Sequence, residues 1–149
     1  MNHWSDRFAL IVITLWVGAL WAIGYLAAPT LFHALSDRQL SGTLAGKMFT
    51  LVAYVGMGSA FYLLIQRLVR HGTGSLKQGY FWLVVAMLLL TLAGHFGIQP
   101  IIAELKALAM PADVMHSVFA DRFKTWHGVV SIAYLIESLL GVMLVLKAR

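Results

Sequence analysis

The sequence predicts an all-α polytopic membrane protein, a four-helix bundle with both termini cytoplasmic. Two observations carry this expectation. Four long apolar segments, Phe8–Ala34, Leu44–Val69, Tyr80–Ala103 and Thr125–Leu146, fill most of the 149 residues. Each is long enough to cross a hydrocarbon core of about 30 Å, which takes ~20 residues at ~1.5 Å rise. Charged residues make up only 11% of the chain, against about 25% in soluble domains, and they gather between the segments. Such short connections leave room for one integral membrane domain, residues 1–149.

The first segment resembles a signal peptide only superficially. Its apolar run is too long for one, and Leu26-Ala27-Ala28 runs into Pro29, a poor cleavage context, so a retained helix is expected. Gly18/Ala22 and Gly24/Ala28 are small-xxx-small pairs that let a neighbouring helix approach closely. Pro29 should kink or end the helix. Ser36–Thr43 reads as a polar linker. The second helix repeats the small-residue device at Gly56 and Ala60, and the third at Ala93 and Gly97, before Gln99-Pro100. Arg70-His71-Gly72-Thr73-Gly74-Ser75 reads as a flexible basic loop. Leu105–Lys124 is the longest extramembrane stretch. Pro111 there suits a first helical turn, and the spacing of Val114, Met115, Val118 and Phe119 favours an extension of the fourth helix over a separate interfacial one.

Tyr25-Leu26-Ala27-Ala28-Pro29 matches Phe96-Gly97-Ile98-Gln99-Pro100, and Met48-Phe49 matches Arg122-Phe123. The match suggests a parallel two-helix repeat about an axis along the membrane normal; chance similarity between apolar stretches is the alternative.

A net charge of +5 could suggest nucleic acid, but no basic stripe supports that partner. The lysines and arginines fit helix ends at a bilayer surface. Arg7, Arg67, Arg70, Lys77, Lys147 and Arg149 fall on one side, and Arg38, Lys47, Lys106, Arg122 and Lys124 on the other. That narrow majority votes for cytoplasmic termini in a bacterial-type inner membrane. Cysteine is absent, so disulfides and thiolate ligands are excluded.

Ionisable groups inside a membrane cost about 2.5–3.5 kcal/mol each on insertion scales, which makes them candidates for function. His95 lies about 22 Å along the third helix, and His127 enters the fourth from the opposite surface, so both sit in the outer part of the bilayer. Gln99 is one turn beyond His95, and His33 ends the first helix. These four are the candidates for binding a ligand or cofactor, with His95 and His127 able to ligate a metal or haem iron. The alternative is that each histidine bonds backbone or headgroups at the interface. Glu137 lies about 18 Å into the fourth helix, on a face shared with Ser131, Tyr134, Ser138 and Gly141. A carboxyl there is expected to be neutral, since desolvation disfavours its charge. It reads either as a proton-linked group or as packing glue bonded to Tyr134 or Ser59. Trp4, Trp82 and Trp126 fit an interfacial belt. Trp16 and Trp21 lie deeper, facing lipid or filling packing, and Met57, Met87 and Met143 are too dispersed for a copper site.

Leu15-Trp16-Val17-Gly18-Ala19-Leu20-Trp21, Pro29-Thr30-Leu31-Phe32 and Ala45-Gly46-Lys47-Met48-Phe49 resemble the transmembrane protein 205-like family of uncharacterised membrane proteins. Phe96, Pro100 and Phe123-Lys124-Thr125-Trp126-His127-Gly128-Val129-Val130-Ser131 resemble its second half. The resemblance implies four membrane helices and no defined activity. More distantly, the Trp-x-Gly turn followed by Pro29-Thr30-Leu31-Phe32-His33 is similar to copper-resistance D-like proteins and to membrane haem-binding protoporphyrinogen oxidases. Those families carry a histidine ahead of the tryptophan, where this chain has Phe8-Ala9-Leu10-Ile11. Haem here would need a different site, drawn from His33, His95 and His127.

Three functions stay open from sequence. The first is binding or transport of a small cation, metal or amphiphile through an outer-half pocket, as a homo-oligomer or with a membrane partner. The second is a haem-binding redox protein or electron carrier. The third is an assembly subunit of a membrane complex. No nucleotide-binding loop, hydrolase triad or glycosyltransferase motif is present, so an enzyme acting on soluble substrates is not expected.

Overall fold

The computed structural model describes residues 3–148; Arg149, counted above among the charges on one side, lies outside them. Four helices are long and apolar enough to cross a membrane: α1 (Trp4–Ala34), α2 (Arg38–His71), α3 (Gly79–Ala109) and α4 (Ala120–Lys147). The described residues contain no strand. The protein is therefore an all-α integral membrane protein. α1 and α3 each pack against both α2 and α4, so the helices form a ring with α1 across from α3 and α2 across from α4.

The helices outrun the apolar segments that reveal them. α2 begins at Arg38 because Asp37 caps it, its carboxylate accepting from the Gln39 and Leu40 amides at 2.9 and 3.0 Å. Most of the expected linker Ser36–Thr43 is thus the first turns of α2. α3 continues to Ala109, and Pro111 stands in the turn that follows instead of starting a helix. Val114–His116 makes one short 3₁₀ turn, and α4 begins at Ala120. The expected extension of the fourth helix therefore covers Ala120–Lys124 only. At the other end, Arg70–Ser75 is no open loop. Gly72 closes α2 with a φ of +52°, which favours glycine, and its amide bonds the Leu68 carbonyl. A 3₁₀ segment, Gly72–Lys77, follows with Ser75 buried.

Neither proline ends its helix. A π-helical turn precedes each: Ile23–Ala27 before Pro29 and Ala93–Ile98 before Pro100. Proline lacks an N–H and its ring crowds the carbonyl four residues back, so a widened turn there lets the helix pass through. The two turns occupy corresponding places in helices on opposite sides of the ring. This is the relation that a parallel two-helix repeat requires.

Ile13, Trp16, Leu20, Val52, Ala60, Leu63, Val84, Met87 and Leu144 form the core. Lipid tails are as apolar as leucine, so close van der Waals contact and cross-helix hydrogen bonds hold such a bundle, more than escape from water. Two of the expected small pairs serve this end. Gly24 lies directly under the Tyr134 ring, with Ala28 buried nearby. Gly56 lies under Trp16, where a Cβ would come 2.7 Å from the indole nitrogen, and Ala60 is fully buried. The other two pairs are unused within the chain: Gly18, Ala22, Ala93 and Gly97 are all exposed.

Gly24→Ala should force the Tyr134 ring aside and destabilise the bundle by about 1–3 kcal/mol, the usual cost of overpacking. Gly18→Ala, whose Cβ meets nothing within 4 Å, should leave the monomer's stability unchanged. Unfolding of both variants in detergent micelles checks the contrast.

Candidate functional site

Besides the polar bridges at the end shared by the termini, polar side chains gather at the centre of the bundle and in a groove towards the end where α1 finishes and α2 begins. At the centre, Glu137 is 6% exposed on the face of α4 that also buries Ser138, Gly141 and Leu144. Its one side-chain hydrogen-bond partner among the described residues is Thr91 of α3, whose hydroxyl oxygen stands 2.6 Å from Glu137 Oε1. The expected partners Tyr134 and Ser59 are not bonded to it. Tyr134 instead donates to the Leu20 carbonyl at 2.5 Å. The same Thr91 hydroxyl is 2.9 Å from the Met87 carbonyl. A hydroxyl carries one proton. A neutral carboxyl that donates to Thr91 frees that proton for Met87, so both contacts become hydrogen bonds. Trp16 completes the cluster. It is fully buried, and its indole N–H has no hydrogen-bond partner among the described residues.

Towards the end where α1 finishes, aromatic and hydroxyl groups tie α1 to α4. Tyr25 donates to the Ser138 hydroxyl at 3.1 Å, and Trp21 to the Ser138 carbonyl at 3.3 Å. Phe49 of α2 meets the Tyr134 ring edge-on at 5.2 Å. Ser131 lies outside this packed region. It is exposed, and its hydroxyl bonds back to the His127 carbonyl at 2.7 Å.

The groove is a shallow, open depression of about 600 Å³ between the first turns of α2 and the last turns of α3. Gly42, Gly46 and Ala103 keep it open, Thr43, Thr50 and Gln99 give it polar walls, and Leu51 and Ile102 give it apolar ones. Lys47 and Lys106 also line it, and no carboxylate does. Lys106 reaches across the helices: its ammonium lies 5.9 Å from the centre of the Phe123 ring on α4. Neither lysine forms an ion pair among the described residues. Asp113, the acid whose charge bears on Lys106, spends its Oδ1 on the Met115 amide.

Of the sequence candidates, only Gln99 lines this groove. His95 lies half-buried between Tyr54 and Phe96, its ring centre 5.1 and 4.8 Å from theirs. His127 is exposed and stacks on Phe123 at 5.6 Å, and His33 is exposed at the end of α1. Among the described residues, no cluster of three or more His, Cys, Asp or Glu side chains is placed to hold a metal ion. Sequence reasoning passed over Thr91, the one aliphatic hydroxyl in the apolar run Gly79–Leu92. It also read Lys47 and Lys106 only as helix anchors.

Fold and polar groups together define a small polytopic integral membrane protein with a buried acid and a basic interfacial groove. The model of the family described as Domain of unknown function (DUF4149) matches residues 11–111, and the chain belongs to that family. The match takes in Trp16, Gly56, Thr91 and all the groove residues; His127 and Glu137 lie beyond it. No curated protein and no solved structure matches the chain.

Thr91→Val removes the hydrogen-bond partner of Glu137 and should cost about 1–3 kcal/mol, the penalty for stranding a buried polar group. Glu137→Gln keeps a donor to Thr91 and should cost less. Reversible unfolding in mixed micelles reads the difference, and an equal or reversed order would contradict the pairing.

Proposed function

We propose that the protein binds an anionic amphiphile, a phospholipid, in the groove between α2 and α3. The observation that carries this reading is the pair Lys47 and Lys106 on a groove with no carboxylate in its walls. Such a groove repels small cations and metals and attracts a phosphate. Its depth fits the same occupant. Lys106 stands within a turn of the end of α3, where headgroups lie, and Leu51 and Ile102 extend the groove inward beside the acyl chains. Gln99 can donate hydrogen bonds to phosphate or glycerol oxygens, and the Thr43 and Thr50 hydroxyls, which donate to the Gln39 and Gly46 carbonyls, can accept from a glycerol hydroxyl. With both termini cytoplasmic in a bacterial-type inner membrane, as the lysine and arginine count favours, the headgroup belongs to the outer leaflet. One chain supplies the groove, so a second copy is not required for binding.

Each lysine beside an anionic headgroup contributes about 1 kcal/mol, so replacing both with Gln should weaken binding roughly thirtyfold. Gly46→Leu should block the groove without disturbing the fold, because a Cβ at Gly46 meets nothing within 4 Å. Native mass spectrometry of the protein in micelles containing phosphatidylglycerol or phosphatidylcholine tests both. The expected result is retention of the anionic lipid by the natural protein and its loss in both variants. Equal retention of the two lipids, or retention by Gly46→Leu, overturns the reading.

A further inference from the structure

We infer that one water molecule is bound at the centre of the bundle, bridging the Trp16 indole N–H to the Thr91–Glu137 pair. This site is independent of the groove. Each of the four helices contributes to it: Trp16 from α1, Gly56 from α2, Thr91 from α3 and Glu137 from α4.

The argument is one of hydrogen-bond balance. Trp16 is fully buried and its Nε1–H finds no acceptor among the described residues. A stranded buried donor costs about 1–3 kcal/mol, which is large for a bundle held by packing and a few cross-helix hydrogen bonds. Acceptors stand close by. A Cβ built on Gly56 would stand 2.7 Å from Trp16 Nε1 and 3.6 Å from Thr91 Oγ1, so both atoms face the same strip of α2 backbone. No direct bond joins them. Beyond Thr91 stands Glu137, which engages only Oε1 in a protein hydrogen bond. A buried water is held by two to four polar partners. Here the indole donates to it, and it donates in turn to the Thr91 hydroxyl or the Glu137 carboxyl. The ligand must both accept and donate and must be small. Water meets all three conditions. A metal cation does not, because the N–H would point at it.

A bound water also changes what Glu137 can do. A carboxyl sealed among methyl groups keeps its proton, whereas one next to water has a partner with which to exchange it.

The test uses a variant in which Trp4, Trp21, Trp82 and Trp126 are Phe, leaving Trp16 as the one indole. Those four are exposed or half-exposed, so their replacement should spare the core. In ¹⁵N-indole-labelled protein in micelles, the Trp16 N–H should show a cross-peak to a slowly exchanging water. Thr91→Val and Glu137→Leu, combined in that background, should abolish the peak. Its absence from the single-tryptophan protein overturns the inference, and so does its survival in the Thr91/Glu137 variant. If the combined variant does not fold, Glu137→Gln replaces it. A displaced Trp16 N–H resonance then supports the bridge, and an unmoved one overturns it.

Discussion

The close approach of α1 to its two neighbours is the constraint on which the bundle depends. Large aromatic rings lie on bare glycine backbone at two levels: Trp16 of α1 on Gly56 of α2, and Tyr134 of α4 on Gly24 of α1. In lipid, an apolar residue gains little by leaving the solvent, so helices adhere through surfaces that fit. A ring on a glycine is such a surface, since it fills the space a side chain would take and brings the helix axes together. The same contacts set the polar chemistry. Trp16 can reach Gly56 only by burying its indole nitrogen, and Tyr134 donates to the Leu20 carbonyl beside the π-helical turn that carries Gly24.

The two ends of the bundle are built differently. At the end shared by the termini, polar bridges cross between helices: Asp6 pairs with Arg70, Gln66 donates to Ser5 at 3.0 Å, and Arg67 lies 4.1 Å from the centre of the Tyr80 ring. At the other end, α1 and α3 have passed through their π-helical turns and prolines, and the seam between α2 and α3 opens into the groove. A widened turn changes the facing of every residue beyond it. Beyond Ile98, Leu105 and Ala109 are buried in a second, smaller apolar cluster with Val114, while Gln99 and Lys106 line the groove.

Much of the fold was legible because a membrane span needs only length and hydropathy. The helix ends were less so. Arg38–Thr43 and Leu105–Ala109 are helical yet polar or mixed, since beyond the hydrocarbon nothing requires a helix to be apolar; Asp37 was the signal for the first, as an acidic cap ahead of a helix. The site was harder to read. Glu137 could be picked out as an ionisable group deep in a span, but its partner could not, because bonding across helices leaves no local spacing. Ser131 and Ser138 are seven residues apart on nearly one face, yet one is exposed and the other buried. Periodicity gives direction around a helix, and only packing decides the depth to which that direction is covered. His95 and His127 occur at similar depth by residue counting, yet they meet different rings, because depth fixes one coordinate of three.

The division between a basic groove and a buried acid bears on what such a small bundle can do. A transport path for a cation needs acceptors at successive depths. Here the acid is at the centre, and the groove at the end where α2 begins presents two lysines. A cation approaching by the groove would be repelled before meeting Glu137. An anion would be held at the mouth, and the carboxyl and the apolar core would oppose its going further. On the proposed reading the groove favours residence over passage: an anionic head would sit at the interface with its chains along the α2–α3 seam. Glu137 is left to act within the bundle, through Thr91, on the contact between α3 and α4.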